Sequence, residues 1–166
     1  LDVKRNFTNK VIGNRSFSKN PKIISKIGNL CINNFHKYGI ATVVKHIPGH
    51  GLAKQDSHEI LPIVKENISK LNKYDFYPFK NQKSIMAMTA HIIFKSIDEK
   101  NTVTHSKKII KLVIKIIVFN KIIMTDDISM KALTYSTKAN TKKAFIAGCN
   151  LVLHFNANYN EMLIVS

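Results

Sequence analysis

The alternation of apolar and polar positions along the chain predicts helices that alternate with strands. After Asn20, apolar residues recur at helical spacing from Pro21 until Gly39. Asn20 belongs to the residue types that cap helices, and proline suits the first helical position. The segment 41–45 that follows predicts a strand. The first part of the chain therefore contains a helix followed directly by a strand.

The same alternation continues to the carboxyl end of the chain. It predicts helices over 66–79, 107–118 and 136–147, and strands over 85–90, 122–125 and 151–155. Ser106 can cap the second of these helices, and Gly148 is placed to end the last one. Helices of this length between short strands predict parallel strands that are joined by right-handed crossovers.

Polar residues close almost every predicted strand. They are Lys45 with His46, His91, Asp126, and His154 with Asn156. Active residues at the carboxyl ends of several parallel strands are typical of a (β/α)-barrel enzyme, and a complete barrel needs about 250 residues. Since the chain has 166 residues, we predict an α/β fold, an incomplete TIM-type (β/α) barrel with parallel strands, in one domain over 1–166. An open barrel leaves unpaired strand edges, which favour association.

The segment from Lys45 to His58 concentrates candidate chemistry in an irregular stretch. It reads KHIPGHGLAKQDSH and holds three histidines and one carboxylate, while Pro48 and two glycines favour a loop. Asp56 and His58 are separated by one residue, so the carboxylate can reach the imidazole, fix its tautomer and stabilise its charged form. His58 is therefore a candidate proton shuttle.

Two acidic residues and one histidine stand near predicted strand ends. Asp126 follows an apolar run, so its carboxylate should emerge at the end of a buried strand and act as a nucleophile or charge stabiliser. Capping of a following helix is the alternative for both acids, and it suits Asp127 better than Asp126. His91 follows another apolar run and is interpreted as a buried, hydrogen-bonded histidine.

These motifs resemble the N-terminal catalytic domain of glycoside hydrolase family 3, and within that family the bacterial beta-N-acetylhexosaminidases. The resemblance rests on VIGNRSFS from Val11, KHIPGHG and DSH between Lys45 and His58, AH at 90–91, TDDISM around Asp126, and AGCNLVLH from Ala147. It implies a retaining hydrolase of terminal beta-linked N-acetylglucosamine in muropeptides or related saccharides, active in peptidoglycan recycling, with no cofactor.

The resemblance also implies the role of individual residues. By position, Asp126 would be the nucleophile, His58 the acid/base and Asp56 its partner. The side chains that would bind the hydroxyls of the sugar ring are those of Arg15, Lys45 and His46.

The chain departs from the family pattern at several positions. Val118 and Lys121 stand where the family favours glycine, and Ile114 stands where it favours arginine. The resemblance begins partway into the family domain, so the first strands would lie outside it, with an early acidic residue and its basic partner that help hold the sugar. The closing strand and helix would lie outside it too. A truncated, catalytically impaired remnant of such an enzyme is therefore the alternative.

Two further classes of function are weighed against the hydrolase. His46, His50, Asp56 and His58 are residue types that bind zinc or iron, which would make the protein a metal-dependent hydrolase. The formal net charge of +16, from 26 basic and 10 acidic residues, would suit a nucleic-acid-binding protein. Because the lysines are scattered without a dense block, we expect no specific nucleic-acid partner.

Apolar runs and cysteines bear on the compartment. The most apolar run, 109–119, is interrupted by lysines and too short to span a bilayer, and no signal peptide is evident. Cys31 and Cys149 are interpreted as reduced core fillers and not as a disulfide framework. We expect a cytoplasmic protein without a membrane partner. The sequence leaves its oligomeric state open.

Overall fold

A parallel sheet of four strands forms the centre of the computed structural model, which describes residues 1–166. The strands of the chain are β1 (Val43–Ile47), β2 (Ile63–Val64), β3 (Met86–Thr89), β4 (Ile93–Phe94), β5 (Ile122–Asp127) and β6 (Leu151–Leu153). The central sheet has the order β1-β3-β5-β6, and all its neighbours are parallel. β2 and β4 form a separate parallel pair. The sheet is not closed, so the predicted incomplete barrel is confirmed.

Five helices accompany the strands. They are α1 (Pro21–Lys37), α2 (Ile68–Lys73), α3 (Lys107–Leu112), α4 (Thr137–Ala147) and α5 (Tyr159–Val165). The predicted start of α1 is confirmed, because the Asn20 side chain accepts a hydrogen bond of 2.9 Å from the backbone N–H of Lys22. Ser106 caps α3 in the same way. Gly148 ends α4 in a left-handed conformation with φ of 113°.

Some predicted elements have different bounds in the structure, and other elements were not predicted. The helix over 66–79 is only α2 followed by a 3₁₀ turn at Tyr77–Phe79, because Pro78 lacks the N–H that a continuing helix would use. The helix over 107–118 leaves α-helical geometry at Val113–Ile117, which forms a wider π turn. The last strand stops at Leu153 rather than at residue 155. The pattern of apolar and polar positions did not predict β2, β4 or α5.

The hydrophobic core lies between the central sheet and its helices. It is a cluster of 23 buried residues, and its largest side chains are Phe76, Phe79, Phe94 and Phe119. The rings of Phe76 and Phe94 meet edge to face with centroids 5.6 Å apart. This contact packs the small β2–β4 sheet against the segment that follows α2.

Both edges of the central sheet remain open. Beside β1, a groove of about 400 Å³ runs towards α1 and is lined by several apolar side chains, including Ile12, Ile32 and Phe35. At the other edge, the side chain of Leu151 in β6 is 46% exposed. None of the helices combines the length and apolar character needed to cross a bilayer.

Candidate active site

The carboxyl ends of β1 and β5 bring His46 and Asp126 together. Both strands pair with β3 in parallel, so their carboxyl ends lie at the same end of the sheet. His46 Nε2 is 3.8 Å from Asp126 Oδ2. The Asp126 side chain is about one-fifth exposed, and its Oδ1 accepts a hydrogen bond of 2.9 Å from the backbone N–H of Asp127. As predicted, the Asp126 carboxylate emerges at the end of a buried strand.

Asp2 lies buried behind His46 and was missed by the sequence analysis. Its Oδ2 accepts a hydrogen bond of 2.8 Å from His46 Nδ1, and its Oδ1 accepts one of 2.7 Å from the backbone N–H of His50. Burial would raise the pKa of the Asp2 carboxyl, but the attraction of His46 outweighs it and holds the pKa below its ordinary value. The sequence shows only an aspartate between two apolar residues, which indicates burial without identifying a partner.

The loop after β1 is fixed by close packing. A Cβ at Gly51 would overlap the carbonyl oxygen of Val3, so only glycine allows the N-terminal segment of the chain to pack against this loop. His50 is buried, and its Nε2 is 3.2 Å from Ser57 Oγ. Burial lowers the pKa of His50. The Lys45–His46 and Ile47–Pro48 peptide bonds are cis.

Asp56 and His58 form the predicted carboxylate–imidazole pair. Asp56 Oδ1 is 2.8 Å from His58 Nδ1 and also accepts a hydrogen bond of 2.9 Å from the His58 backbone N–H. Partial burial opposes ionisation of Asp56, but these hydrogen bonds outweigh it and lower the pKa of the carboxyl. The His58 side chain is 59% exposed. The pair therefore presents an open imidazole with a fixed Nδ1 partner.

The loop that carries His58 contacts the segment after β5. The backbone N–H of Lys131 donates a hydrogen bond of 3.4 Å to the His58 carbonyl oxygen. No hydrogen bond joins the His58 ring to Asp126. The loop that carries His58 is therefore held against the segment that follows the strand end of Asp126.

Arg15 and Lys45 line the groove beside β1 together with His46. Arg15 ends a 3₁₀ turn at Gly13–Arg15, and its Nε donates a hydrogen bond of 2.8 Å to the Val11 carbonyl oxygen. The side chains of Arg15 and Lys45 are exposed. The structure thus places two cations and one imidazole around one depression that reaches His46.

His91 is a buried, hydrogen-bonded histidine, as predicted. Its Nδ1 is 2.7 Å from Thr104 Oγ1 and its Nε2 is 2.9 Å from the Asp127 carbonyl oxygen. Burial lowers its pKa. The helix cap suggested for Asp127 is wrong, because no helix begins there. Its carboxylate instead accepts hydrogen bonds from the backbone and hydroxyl of Ser129, which hold a turn.

The histidines and acids of the site are divided into separate contacts. His46 lies between two carboxylates, Asp56 pairs only with His58, and His50 contacts Ser57. No three histidine, cysteine, aspartate or glutamate side chains are arranged to hold a metal ion. The donor set proposed for zinc or iron is therefore not assembled around one point.

Comparison with known proteins identifies the family of this chain. The model of the glycosyl hydrolase family 3 N-terminal domain matches residues 1–165. The chain belongs to this family. A beta-hexosaminidase of Shewanella frigidimarina is 32% identical over 162 residues, which cover 94% of this chain and 47% of the relative. The chain thus spans less than half the length of this curated relative.

Two solved structures have the same fold as this family 3 chain. A family 3 beta-N-acetylglucosaminidase from Paenibacillus sp. FPU-7 superimposes with a TM-score of 0.92 at 29% identity and covers 99% of this chain and 32% of its own. NagZ from Neisseria gonorrhoeae, in complex with N-trifluoroacetyl-D-glucosamine, has a TM-score of 0.85 at 27% identity and covers 99% and 47%. This chain therefore superimposes on about a third and about half of these two proteins.

Proposed function

We propose that residues 1–166 form part of the catalytic domain of a retaining beta-N-acetylhexosaminidase that releases terminal beta-linked N-acetylglucosamine. One observation carries the proposal. Asp126 is a carboxylate at the end of β5, and the loop that carries the carboxylate-paired imidazole of His58 is hydrogen-bonded to the segment just after this strand. Membership of family 3 and the beta-hexosaminidase relatives support the reaction class.

Asp126 is suited to act as the nucleophile. Its Oδ1 is held by the backbone N–H of Asp127, which fixes the carboxylate and leaves Oδ2 to attack. In the first step Oδ2 bonds to the anomeric carbon while the bond to the leaving oxygen breaks. Water then replaces Oδ2 at the same carbon and restores the carboxylate, so two displacements retain the configuration.

His58 is suited to move the proton in both steps. Nδ1–H donates to Asp56, so Nε2 carries the exchangeable proton of the imidazolium. That proton passes to the leaving oxygen in the first step, and Nε2 takes a proton from water in the second. Retaining glycosidases ordinarily use two carboxyl groups about 5 Å apart. Here the Asp56–His58 pair would replace the second carboxyl group.

Arg15, Lys45 and His46 would bind the hydroxyls of the sugar ring. They line the groove beside β1, and the Nε2 of His46 is 3.8 Å from Asp126 Oδ2. The guanidinium and ammonium groups can only donate hydrogen bonds, so they suit hydroxyl oxygens, whereas an imidazole can also accept. This division of donors and acceptor would orient the sugar above Asp126.

The natural substrate in this proposal is an N-acetylglucosamine-containing muropeptide or related saccharide, processed in the cytoplasm during peptidoglycan recycling. The complex of the related NagZ with N-trifluoroacetyl-D-glucosamine supports a sugar of this type. Cys149 is buried, as a core filler should be, whereas the expectation was wrong for Cys31, which is exposed. Both thiols are free, which fits a reducing compartment.

A catalytically impaired remnant is the second candidate. The left-handed conformation of Val118 favours it, because a β-branched residue adopts this conformation only at a cost in stability. In that case the chain would keep the site residues without enough rigidity to hold a sugar.

Hydrolysis of a chromogenic aryl N-acetyl-beta-glucosaminide separates these candidates. The purified chain is compared with Asp126→Asn and with Asp98→Asn, a matched loss of a hydrogen-bonded carboxylate outside the site. We expect turnover by the wild type and Asp98→Asn, and loss of turnover in Asp126→Asn with an unchanged unfolding transition. A wild-type rate in Asp126→Asn would refute the nucleophile. No turnover in any of the three folded proteins would establish the remnant.

A further inference from the structure

Asp2 is the most deeply buried carboxylate at the site, and the proposed reaction does not use it. It is 5% exposed and lies on the side of His46 opposite to Asp126. The His46 ring thus has one nitrogen on each carboxylate, Nδ1 at 2.8 Å from Asp2 and Nε2 at 3.8 Å from Asp126. The position of the proton on this ring decides whether Nε2 donates or accepts a hydrogen bond in the groove.

Each oxygen of Asp2 has one short contact of its own. Oδ1 accepts a hydrogen bond of 2.7 Å from the backbone N–H of His50, and Oδ2 is 2.8 Å from His46 Nδ1. The backbone N–H of His46 is 3.4 Å from both oxygens. An ionised carboxylate can only accept hydrogen bonds, so a proton must sit on Nδ1. The low pKa of Asp2 keeps the carboxylate ionised. In the neutral ring, Nε2 then carries a lone pair and no proton.

We propose that Asp2 is a positioning residue that holds a proton on Nδ1 of His46, so that whenever the ring is neutral its Nε2 is a hydrogen-bond acceptor for a sugar hydroxyl beside Asp126. Only the part about the sugar rests on the proposed function. The opposite tautomer would turn Nε2–H towards Asp126 Oδ2. That N–H would compete for the attacking oxygen and would remove the acceptor that the hydroxyl needs.

The variant Asp2→Asn makes a sharp prediction because the His50 backbone N–H is a fixed donor. This donor requires the amide oxygen at the position of Oδ1, so the amide nitrogen must take the position of Oδ2 opposite His46 Nδ1. An NH₂ group donates, and Nδ1 must then accept. The substitution should therefore move the His46 proton from Nδ1 to Nε2.

Nitrogen NMR of ¹⁵N-histidine-labelled protein at mildly alkaline pH tests this directly. The signals of His46 are assigned with a His46→Gln variant. We expect a proton on Nδ1 alone in the wild type and in the control Asp98→Asn, and a proton on Nε2 alone in Asp2→Asn. A wild-type ring protonated on Nε2 alone, or on both nitrogens, would overturn the proposal, and this readout does not need Asp2→Asn to fold. An unchanged tautomer in folded Asp2→Asn would overturn it too.

Kinetics with the aryl glucosaminide add a second readout. We expect kcat/KM of Asp2→Asn to fall by about 10- to 100-fold, as for other carboxylates that orient a histidine. The loss should appear in both kcat and KM, since the nucleophile and the hydroxyl contact are both affected. If the wild type has no turnover, the proposed function fails while the NMR result still decides the role of Asp2. A tautomer change with unchanged kcat/KM would overturn the link to the sugar.

Discussion

At the scale of single residues, the site combines one exposed and one buried carboxylate–imidazole pair. Asp56–His58 lies on a solvent-facing loop, whereas Asp2–His46 is buried at the end of β1. Both pairs use the same contact between a carboxylate and Nδ1. Burial separates their functions in our proposals, because an exposed imidazole can exchange protons with water and a buried one is held in a single state.

The exposed pair leads to a prediction for His58→Ala. A general acid is needed most when the leaving group is a poor one, so kcat/KM should fall by about 10²- to 10⁴-fold for aryl glucosaminides with poor leaving groups and much less for good ones. A series of aryl substrates with graded leaving-group pKa measures this. His36→Ala, in α1 and hydrogen-bonded to Thr42, is the control. Equal losses across the series would contradict the proton-transfer role.

At the scale of elements, the sequence predicted the type of the long elements well. The cap at Asn20, the apolar spacing of α1 and the glycine after α4 are local signals, and each was confirmed. The short elements β2, β4 and α5 were missed. Two-residue strands carry no periodicity, and their pairing is decided by neighbours that are distant in sequence.

Val118 has an unusual backbone conformation at the end of a helical element. It ends the helical segment begun by α3 with φ of 59°, a left-handed conformation that a β-branched residue adopts only at a cost. The family favours glycine at this position. The positive φ explains this preference, because glycine adopts such a conformation without a steric cost.

We therefore predict that Val118→Gly stabilises the chain. Relief of left-handed strain is worth about 1–2 kcal/mol, and the greater freedom of glycine in the unfolded chain offsets about 0.5–1 kcal/mol. The free energy of unfolding should rise by about 1 kcal/mol in denaturant titrations. Ile116→Gly, two residues earlier in the π turn and without a positive φ, should lower it. A loss of stability in Val118→Gly would show that the left-handed turn is unstrained.

At the scale of the whole molecule, a buried ion pair connects distant parts of the chain. Arg5 Nη2 contacts Asp75 Oδ2 at 2.8 Å, which ties the residues before α1 to the segment after α2. The Asp75 side chain is 2% exposed, and this burial raises its pKa to about 6 although Arg5 opposes the shift. The native protein therefore binds a proton here at a pH where the unfolded chain has lost it.

This pKa predicts a pH-dependent component of stability. Between the ordinary value of 3.8 and about 6, the native state binds more protons at Asp75, so its contribution is present below pH 3.8 and is lost as the pH rises. From pH 4 to pH 7 the free energy of unfolding of Asp75→Asn should therefore gain about 2 kcal/mol relative to the wild type. Denaturant titrations across this range measure the difference.

Asp98→Asn is the control of opposite sign. Partial burial opposes ionisation of Asp98, but hydrogen bonds from Ser106 and nearby backbone outweigh it and lower its pKa. Its contribution is present above pH 3.8 and is lost as the pH falls below this value, so Asp98→Asn should lose stability relative to the wild type as the pH rises towards 3.8 and should change little between pH 4 and pH 7. A constant difference between Asp75→Asn and the wild type would contradict the raised pKa of Asp75.

The association expected from the open edges of the sheet stays a prediction. Val43 in β1 and Leu151 in β6 expose apolar surface beside unpaired backbone. The groove beside β1 extends this surface towards α1.

Local sequence determined much of this protein. Caps, helical spacing, strand-end polar residues and the short spacing of Asp56 and His58 all act over a few residues, so they could be identified without a structure. The tertiary structure alone decided that Asp2 lies against His46, that His46 faces Asp126, and that Asp127 holds a turn. These contacts join residues far apart in the chain or depend on where the chain turns, and no local pattern encodes the packing that brings them together.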